Sequence, residues 1–293
     1  MIRYPILESQ LRKRVEELRP GWLARSAALT DGFRTAREYN EESGIWSQIK
    51  VAYMDLQGFK CGFCERRLEK SRFGNVEHDV EHFRPKAKVK KWPSDSERTE
   101  RGIDFGFPLG DDEDKGYYLL AYELENYLIS CKTCNTRLKA NYFPVSSARS
   151  VDRDRSRALD DEKPFLLYPI GARDTDPEKV ITFRGILPIP AASRGHLRRR
   201  GEVTIRFFEL DTREVLLEER AETILRLHLA MSAVGHPDAM TSRAASTSID
   251  WMVNRLSPHA SCARSFHDLW LSDNVLAREF AEGALAYIES VAR

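Results

Sequence analysis

The sequence lacks an apolar run long enough to span a membrane, and its first residues turn polar before a signal peptide's apolar region could form. These absences predict a soluble, cytoplasmic protein. The sequence also lacks internal repeats and low-complexity tracts, which argues against a repeat architecture. The sequence also lacks a strong net charge. The formal net charge is +1 over 293 residues, so the protein does not have the uniformly basic surface that would bind nucleic acid on every side.

Positive charge is instead concentrated in two short stretches. Basic residues outnumber acidic ones from Lys60 to Trp92 and again from Ala191 to Arg206. Local basic patches on a nearly neutral protein suit a partner that contacts a single face. For the second patch, a solvated surface explains the charge equally well.

Cysteine is used sparingly, since the sequence has only five. Four of them form two C-x-x-C pairs, Cys61 with Cys64 and Cys131 with Cys134. In a reducing compartment such pairs are more often metal ligands than disulfides, and four thiolates complete the tetrahedral shell of a structural zinc ion. The alternative is two unrelated redox or buried pairs. Cys262 stands apart and is expected to be a buried, small apolar residue.

The hydrophobic pattern predicts an α+β protein. Apolar residues recur with helical spacing in residues 5–57 and again from 210 onward, which predicts helices near both ends of the sequence. Residues 76–83, VEHDVEHF, alternate with a period of two and predict a short strand. Residues 92–116 are polar and rich in turn residues, as is typical of a loop. Residues 131–143 are typical of the opening of a helix.

Three stretches, CGFCERRL, VEHFRPKAKV and YELENYLISCKTCNTRLKANYFP, occur in this order and resemble the HNH endonucleases, the ββα-metal nucleases. More narrowly, they resemble the HNH partner found in Septu and retron-type prokaryotic defence operons. The resemblance implies a zinc-stapled ββα-metal core with helical extensions. The expected segments are an N-terminal helical segment (1–57), the zinc-stabilised HNH core (58–146), a mixed β and loop extension (147–209) and a C-terminal helical region (210–293).

Phosphodiester hydrolysis needs a water molecule made nucleophilic and an ion that holds charge on the phosphate. The resemblance implies that His82 is the general base and that Glu81 binds a divalent metal. It further implies that Asn126 orients His82 through a hydrogen bond and that Asn135, nine residues later, completes the metal site. Glu and Asn offer only oxygen ligands, which favours Mg²⁺ or Mn²⁺. The superfamily more often has Asp or His at the position of Glu81.

Three cations near these residues are expected to contact phosphate groups. Arg84 and Lys86 lie two and four residues after His82, and Lys139 lies one helical turn past Asn135. Phosphate contacts give affinity without sequence information. His78, two strand positions before the base, is expected to serve packing or a DNA contact.

The resemblance therefore implies a metal-dependent HNH endonuclease that hydrolyses nucleic acid, with DNA expected before RNA. It also implies that the protein is the nuclease effector of an antiphage defence complex with an ATPase partner. Two alternatives stay open: a catalytically inactive, zinc-stabilised nucleic-acid-binding module, and a standalone HNH nicking enzyme outside defence. The complete set of four predicted catalytic residues argues against the first, and the helical extensions, which suit docking to a partner, argue against the second.

Overall fold

A computed structural model gives the fold of residues 1–40, 44–70, 74–154 and 156–292. Within these residues the chain combines helices with small antiparallel sheets, which confirms the predicted α+β class. No helix in these ranges is long and apolar enough to cross a membrane.

The chain divides into two compact units, each assembled from separate stretches of sequence. The first unit comprises Tyr4–Gly62 and Leu68–Thr175. The second unit comprises Met1–Arg3, Phe63–Arg67 and Asp176–Arg293. The N-terminal helices therefore fold in the same unit as most of the predicted core.

The first unit contains short helices around a two-stranded sheet. In chain order its described elements are α1 (Glu8–Leu18), α2 (Trp22–Ala36), a 3-10 turn (Ile45–Ile49), α3 (Lys50–Leu56), α4 (Gly74–Glu77), β1 (His78–His82), α5 (Asp95–Arg101), 3-10 turns (Tyr118–Leu120 and Leu124–Asn126), β2 (Tyr127–Cys131), a π-helix (Thr133–Lys139) and a 3-10 turn (Ser156–Glu162). Helix α1 buries Leu11 and Val15, four residues apart, as expected for a helix with one apolar stripe. The helices predicted within residues 5–57 are confirmed.

Helix α5 lies where the sequence predicts a loop, so that prediction is wrong for Asp95–Arg101. Ser94 Oγ accepts a hydrogen bond from Glu97 N at 3.3 Å, and the Glu97 carboxylate accepts one from Ser94 N at 2.9 Å. This reciprocal pair is a capping box, which satisfies two backbone amides that would otherwise lack partners at the helix start. Gly102 follows the last residue in a left-handed conformation (φ 59°) and ends the helix.

Strands β1 and β2 form the antiparallel pair that organises the first unit. The register runs from His78 opposite Cys131 to His82 opposite Tyr127. The predicted strand is thus confirmed for the five residues of β1, and β2 is buried along its whole length. The π-helix begins two residues after β2, where the sequence predicts the opening of a helix. The pairing places His82 at one end of the ladder and Cys131 at the other.

The second unit is mainly helical. Its described elements are a 3-10 turn (Pro177–Lys179), β3 (Ile181–Arg184), β4 (Leu187–Pro190), α6 (Gly195–Phe207), α7 (Glu214–Ala233), α8 (Ala239–Val253), α9 (Ala260–Ser272) and α10 (Asn274–Val291). Strands β3 and β4 pair antiparallel. Helices α7 to α10 enclose an apolar core that includes Ile224, Leu227, Met252, Phe266 and Ala281. The helices predicted from residue 210 onward are confirmed.

Two helix glycines of the second unit provide a matched test of this packing. A methyl group on Gly201, in α6, would lie 2.8 Å from the Val180 carbonyl oxygen and 3.0 Å from Pro190 Cβ. A methyl group on Gly283, in α10, would meet no described atom within 4 Å. We expect Gly201→Ala to destabilise the protein by about 1–3 kcal/mol through overpacking. Gly283→Ala should stabilise it by about 0.5–1 kcal/mol, because glycine is a poor helix former.

Urea unfolding of the two variants and of the unchanged protein measures both effects. Equal free energies of unfolding for the two variants would contradict the close approach of α6 to Val180 and Pro190.

Candidate active site and metal centre

The four cysteines of the C-x-x-C pairs converge on one point. The sulfur atoms of Cys61, Cys64, Cys131 and Cys134 all lie within 4.8 Å of one another, and all four side chains are buried. A tetrahedral zinc ion with sulfur ligands at about 2.3 Å needs sulfur atoms about 3.8 Å apart, so this cluster can hold zinc. Cys262 lies outside the cluster and is buried as expected, and burial raises the pKa of its thiol to about 12.

Backbone contacts hold the start of the first C-x-x-C pair against β2. Gly62 N donates to the Ile129 carbonyl oxygen at 2.8 Å. The Gln57 side chain donates to that same carbonyl at 3.0 Å and accepts from Ile129 N at 2.7 Å. A Cβ atom on Gly62 would lie 2.6 Å from Leu128 Cδ1, so glycine permits this approach. Sequence analysis missed Gln57. Its only indication in the sequence is its position as a polar residue directly after the apolar end of α3.

His82 is buried at the end of β1, and its tautomer follows from one hydrogen bond. Nε2 lies 3.1 Å from the Ala121 carbonyl oxygen. A carbonyl oxygen can only accept, so Nε2 carries the proton and Nδ1 carries the lone pair. Burial lowers the pKa of His82 well below its usual value, and the nearby Lys86 ammonium lowers it further. The imidazole is therefore neutral near pH 7, the form that a general base requires.

Two aromatic residues that sequence analysis missed contact this imidazole. The Tyr127 ring centroid lies 5.0 Å from that of His82 at an interplanar angle of 88°, and the Trp46 centroid lies 4.8 Å away at 84°. The Tyr127 hydroxyl also donates to the Ala121 carbonyl oxygen, so this one carbonyl accepts from both residues. Tyr127 could have been found only from the strand register.

Asn126 does not make the hydrogen bond to His82 that was expected from the sequence. Its side-chain oxygen accepts from Arg84 N at 2.8 Å, and its side-chain nitrogen donates to the carbonyl oxygens of Arg84 at 3.0 Å and Leu120 at 3.1 Å. Its backbone carbonyl also accepts from Phe83 N at 2.8 Å. Asn126 is buried, and these bonds hold the backbone of the two residues that follow His82.

Glu81 and Lys139 are both buried and lie side by side. Lys139 Nζ is 3.3 Å from Glu81 Oε1, within ion-pair distance, but it makes no well-aligned hydrogen bond with any described residue. Burial raises the pKa of Glu81 to about 7 although the Lys139 charge opposes this shift. Burial likewise lowers the pKa of Lys139, against the attraction of Glu81. The two predicted roles, metal ligand and phosphate contact, thus fall on partners of one buried pair.

Arg84 is fully buried, which does not suit the phosphate contact expected of it. Its Nε donates to Glu162 at 3.4 Å and its Nη2 donates to the Leu159 carbonyl oxygen at 3.3 Å. Glu162 also accepts from the Tyr117 hydroxyl at 2.9 Å and from Ser150 N at 2.7 Å. A phosphate could reach the guanidinium only if this buried network opened, so Arg84 is placed as an internal tie between the segment after β1 and the segment around Glu162.

Of the other predicted residues, Lys86 and Asn135 lie nearer the surface, whereas His78 is buried. Lys86 is partly exposed, with Nζ 4.4 Å from the Trp46 ring centroid and 5.3 Å from that of Tyr39. Asn135 is partly exposed on the π-helix, and its backbone carbonyl accepts from Ala140 N at 2.7 Å. His78 is buried and its Nε2 donates to the Glu69 carbonyl oxygen at 3.0 Å, in line with a packing role.

Comparison with known proteins adds one relationship. The chain is similar to a Septu protein. It is 29% identical over 194 residues to the Septu protein PtuB of Bacillus mycoides (strain KBAB4), and the match covers 65% of this chain and 54% of that protein. The chain thus spans about half the length of the curated relative that it matches. No family model matches the chain, and no solved structure matches it significantly.

The cysteine cluster predicts one zinc ion per chain. Because a structural zinc site stabilises a fold by about 10–16 kcal/mol in small zinc modules, Cys131→Ser should lose the metal and become largely insoluble or unfolded. Cys262→Ala, which removes the cysteine outside the cluster, is the matched control and should keep its zinc. Metal analysis of the purified proteins by mass spectrometry decides the matter. A zinc-free, fully folded parent protein would show that the cluster does not bind zinc.

The buried Arg84–Glu162 pair should contribute strongly to stability. Glu162→Ala leaves the Arg84 guanidinium buried without its carboxylate, and we expect a loss of about 3–5 kcal/mol. The control is Glu222→Ala, which breaks an exposed ion pair of 2.8 Å with Arg226 and should cost about 0.5 kcal/mol or less. Chemical denaturation compares the two. A loss at Glu162 as small as that at Glu222 would contradict the role of Arg84 as an internal tie.

Proposed function

We propose that this protein is an HNH-type endonuclease that hydrolyses phosphodiester bonds, with DNA as the expected substrate. The observation that carries the proposal is the His82 imidazole, which donates through Nε2 to the Ala121 carbonyl and keeps the Nδ1 lone pair. Glu81, the preceding residue of β1, forms a buried ion pair with Lys139 of the π-helix. A fixed, neutral imidazole beside such charges suits general-base attack on a phosphate ester.

In the proposed reaction, His82 Nδ1 removes a proton from water while that water attacks the phosphorus atom. The bond from phosphorus to the leaving sugar oxygen breaks, and this oxygen takes a proton from solvent. Lys86, with its ammonium near the imidazole, would hold a non-bridging phosphate oxygen. Lys139 would do the same if the substrate draws it away from Glu81, because its buried ammonium has unused donors.

A divalent ion fits the donor chemistry of this site. Mg²⁺ is commonly bound by one or two carboxylates together with substrate phosphates, and Glu81 and Asn135 offer a carboxylate and an amide oxygen. These two residues would hold Mg²⁺ or Mn²⁺, which would supply charge stabilisation on the phosphate when bound. Glu81 would then have to exchange its present ion pair with Lys139 for the metal.

The cysteine cluster supports a structural role for zinc rather than a catalytic one. Four thiolates close the tetrahedral shell and leave no position for water or substrate. Cys131 ends β2, two residues before the start of the π-helix that carries Asn135 and Lys139. Zinc at this point would fix the start of that helix and so the position of both residues.

We propose further that the protein acts in antiphage defence, together with an ATPase partner. The similarity to a Septu protein supports this placement. The helices outside the HNH-like stretch offer surface for such a partner, since they exceed what a minimal nuclease requires. The alternative of an inactive binding module predicts binding of nucleic acid without cleavage, which the following experiment distinguishes.

His82→Ala should lower the cleavage rate by about 10²–10⁴-fold, the usual contribution of a general base, while binding is nearly unchanged. The assay follows plasmid DNA, single-stranded DNA and RNA in Mg²⁺ or Mn²⁺, with the protein alone and with any ATPase that is encoded next to it. His236→Ala, at an exposed histidine of the second unit, is the control and should cleave like the unchanged protein.

Three outcomes separate the hypotheses. Cleavage lost only in the His82 variant supports the proposal. Cleavage at the original rate in that variant shows that His82 is not the base. Binding without cleavage by the unchanged protein in every condition favours the inactive module.

A further inference from the structure

We infer that Trp46 is a positioning residue of the proposed active site, which holds the His82 imidazole and the Lys86 ammonium in one fixed arrangement. This inference rests on the proposed function for its kinetic consequence, but its structural part can be tested without it. Trp46 lies in the 3-10 turn Ile45–Ile49, outside the stretch of about residues 57–145 that resembles HNH endonucleases.

The imidazole of His82 is restrained by three contacts. The rings of Trp46 and Tyr127 each lie nearly perpendicular to it, at 84° and 88°, with centroids 4.8 Å and 5.0 Å away. The hydrogen bond from Nε2 to the Ala121 carbonyl oxygen is the third contact and restrains rotation of the ring. Tyr127 belongs to β2 and Ala121 lies in the segment before it, whereas Trp46 is contributed by the N-terminal part of the first unit. Its removal would leave the ring free to rotate on that side.

The same indole also contacts Lys86. The Lys86 Nζ lies 4.4 Å from the Trp46 ring centroid, within the range of a cation–π interaction. A second, longer contact of 5.3 Å joins it to Tyr39. One side chain therefore touches both the proposed base and the proposed phosphate ligand. A rigid indole between them fixes the distance from the attacking water to the phosphate oxygen, which a flexible lysine alone would not.

The turn that carries Trp46 is firmly anchored. Ile45 N donates to the Tyr122 hydroxyl at 3.3 Å, and Trp22 Nε1 donates to the Ile45 carbonyl oxygen at 3.1 Å. The indole lies directly against Gly44. A Cβ atom at this position would be only 1.6 Å from Trp46 Cζ3. Gly44 has an extended backbone (φ −84°, ψ 152°) that any residue can adopt. Glycine is thus required at this position by the ring and not by the backbone.

This arrangement supplies a substitution that moves the indole without deleting it. Gly44→Ala must displace the ring, whereas Trp46→Ala removes it and Trp46→Phe keeps an aromatic ring in place. A misplacement of about 1 Å at an active site can lower the rate by about 100-fold. We expect Gly44→Ala and Trp46→Ala to lower kcat by about 10–100-fold, and Trp46→Phe to recover most of it. Lys86→Met should raise KM, because it removes the proposed phosphate contact.

Trp251→Ala is the matched control, because it removes an exposed tryptophan of the second unit and should alter neither kcat nor KM. Circular dichroism and thermal unfolding identify any variant that fails to fold. If Trp46→Ala does not fold, the comparison of Gly44→Ala with Trp46→Phe still tests the inference. Unchanged kcat in folded Gly44→Ala and Trp46→Ala proteins would overturn the inference.

A second measurement does not depend on cleavage. In protein labelled with ¹⁵N-histidine, the His82 ring should show the Nε2–H tautomer. Trp46→Ala and Gly44→Ala should shift its ring signals and populate both tautomers, while Trp251→Ala leaves them unchanged. If the unchanged protein cleaves nothing and these shifts appear, the proposed function fails while the positioning of His82 by Trp46 holds. Identical His82 signals in all variants would contradict the positioning itself.

Discussion

The antiparallel register of β1 and β2 is the constraint on which the candidate site depends. It pairs His78 with Cys131 at one end and His82 with Tyr127 at the other. Side chains alternate between the two faces of a strand, so a slip of one residue would exchange the faces on which Glu81 and His82 lie and take Tyr127 away from the imidazole. The same slip would displace Cys131 from the other sulfur atoms. One ladder of five residue pairs thus sets both the candidate metal centre and the candidate active site.

Buried charged side chains are the second main feature of the first unit. Glu81, Arg84, Lys139 and Glu162 are all nearly inaccessible to solvent. Burying a charge is costly unless a partner compensates it, and the structure forms two separate pairs at 3.3 Å and 3.4 Å. Glu162 accepts further hydrogen bonds and so ties Arg84 into the fold, while Arg84 Nη1 and Lys139 Nζ both lack a hydrogen-bond partner among the described residues.

What could be predicted from the sequence was local. Helical spacing, the alternation around His82 and the C-x-x-C pairs depend on neighbouring residues, and the structure bears out these elements and the cysteine cluster. The burial of Arg84 and the partners of Asn126 could not be predicted, because both depend on residues about 40 to 80 positions away. Helix α5 was missed for a different reason. The capping box at Ser94 and Glu97 is visible in the sequence and favours the start of a helix, but the surrounding Pro and Gly residues favour a loop.

The distance along the chain between β1 and β2 also matters while the protein is being made. Residues 83–126 separate the strands, so β1 leaves the ribosome well before its partner. At about 5–20 residues per second, the segment takes roughly two to nine seconds to synthesise. During that time the backbone groups of β1 have no hydrogen-bond partners in β2, and the second cysteine pair has not yet been synthesised. The nascent chain therefore passes through an interval in which neither the sheet nor the four-sulfur cluster can exist.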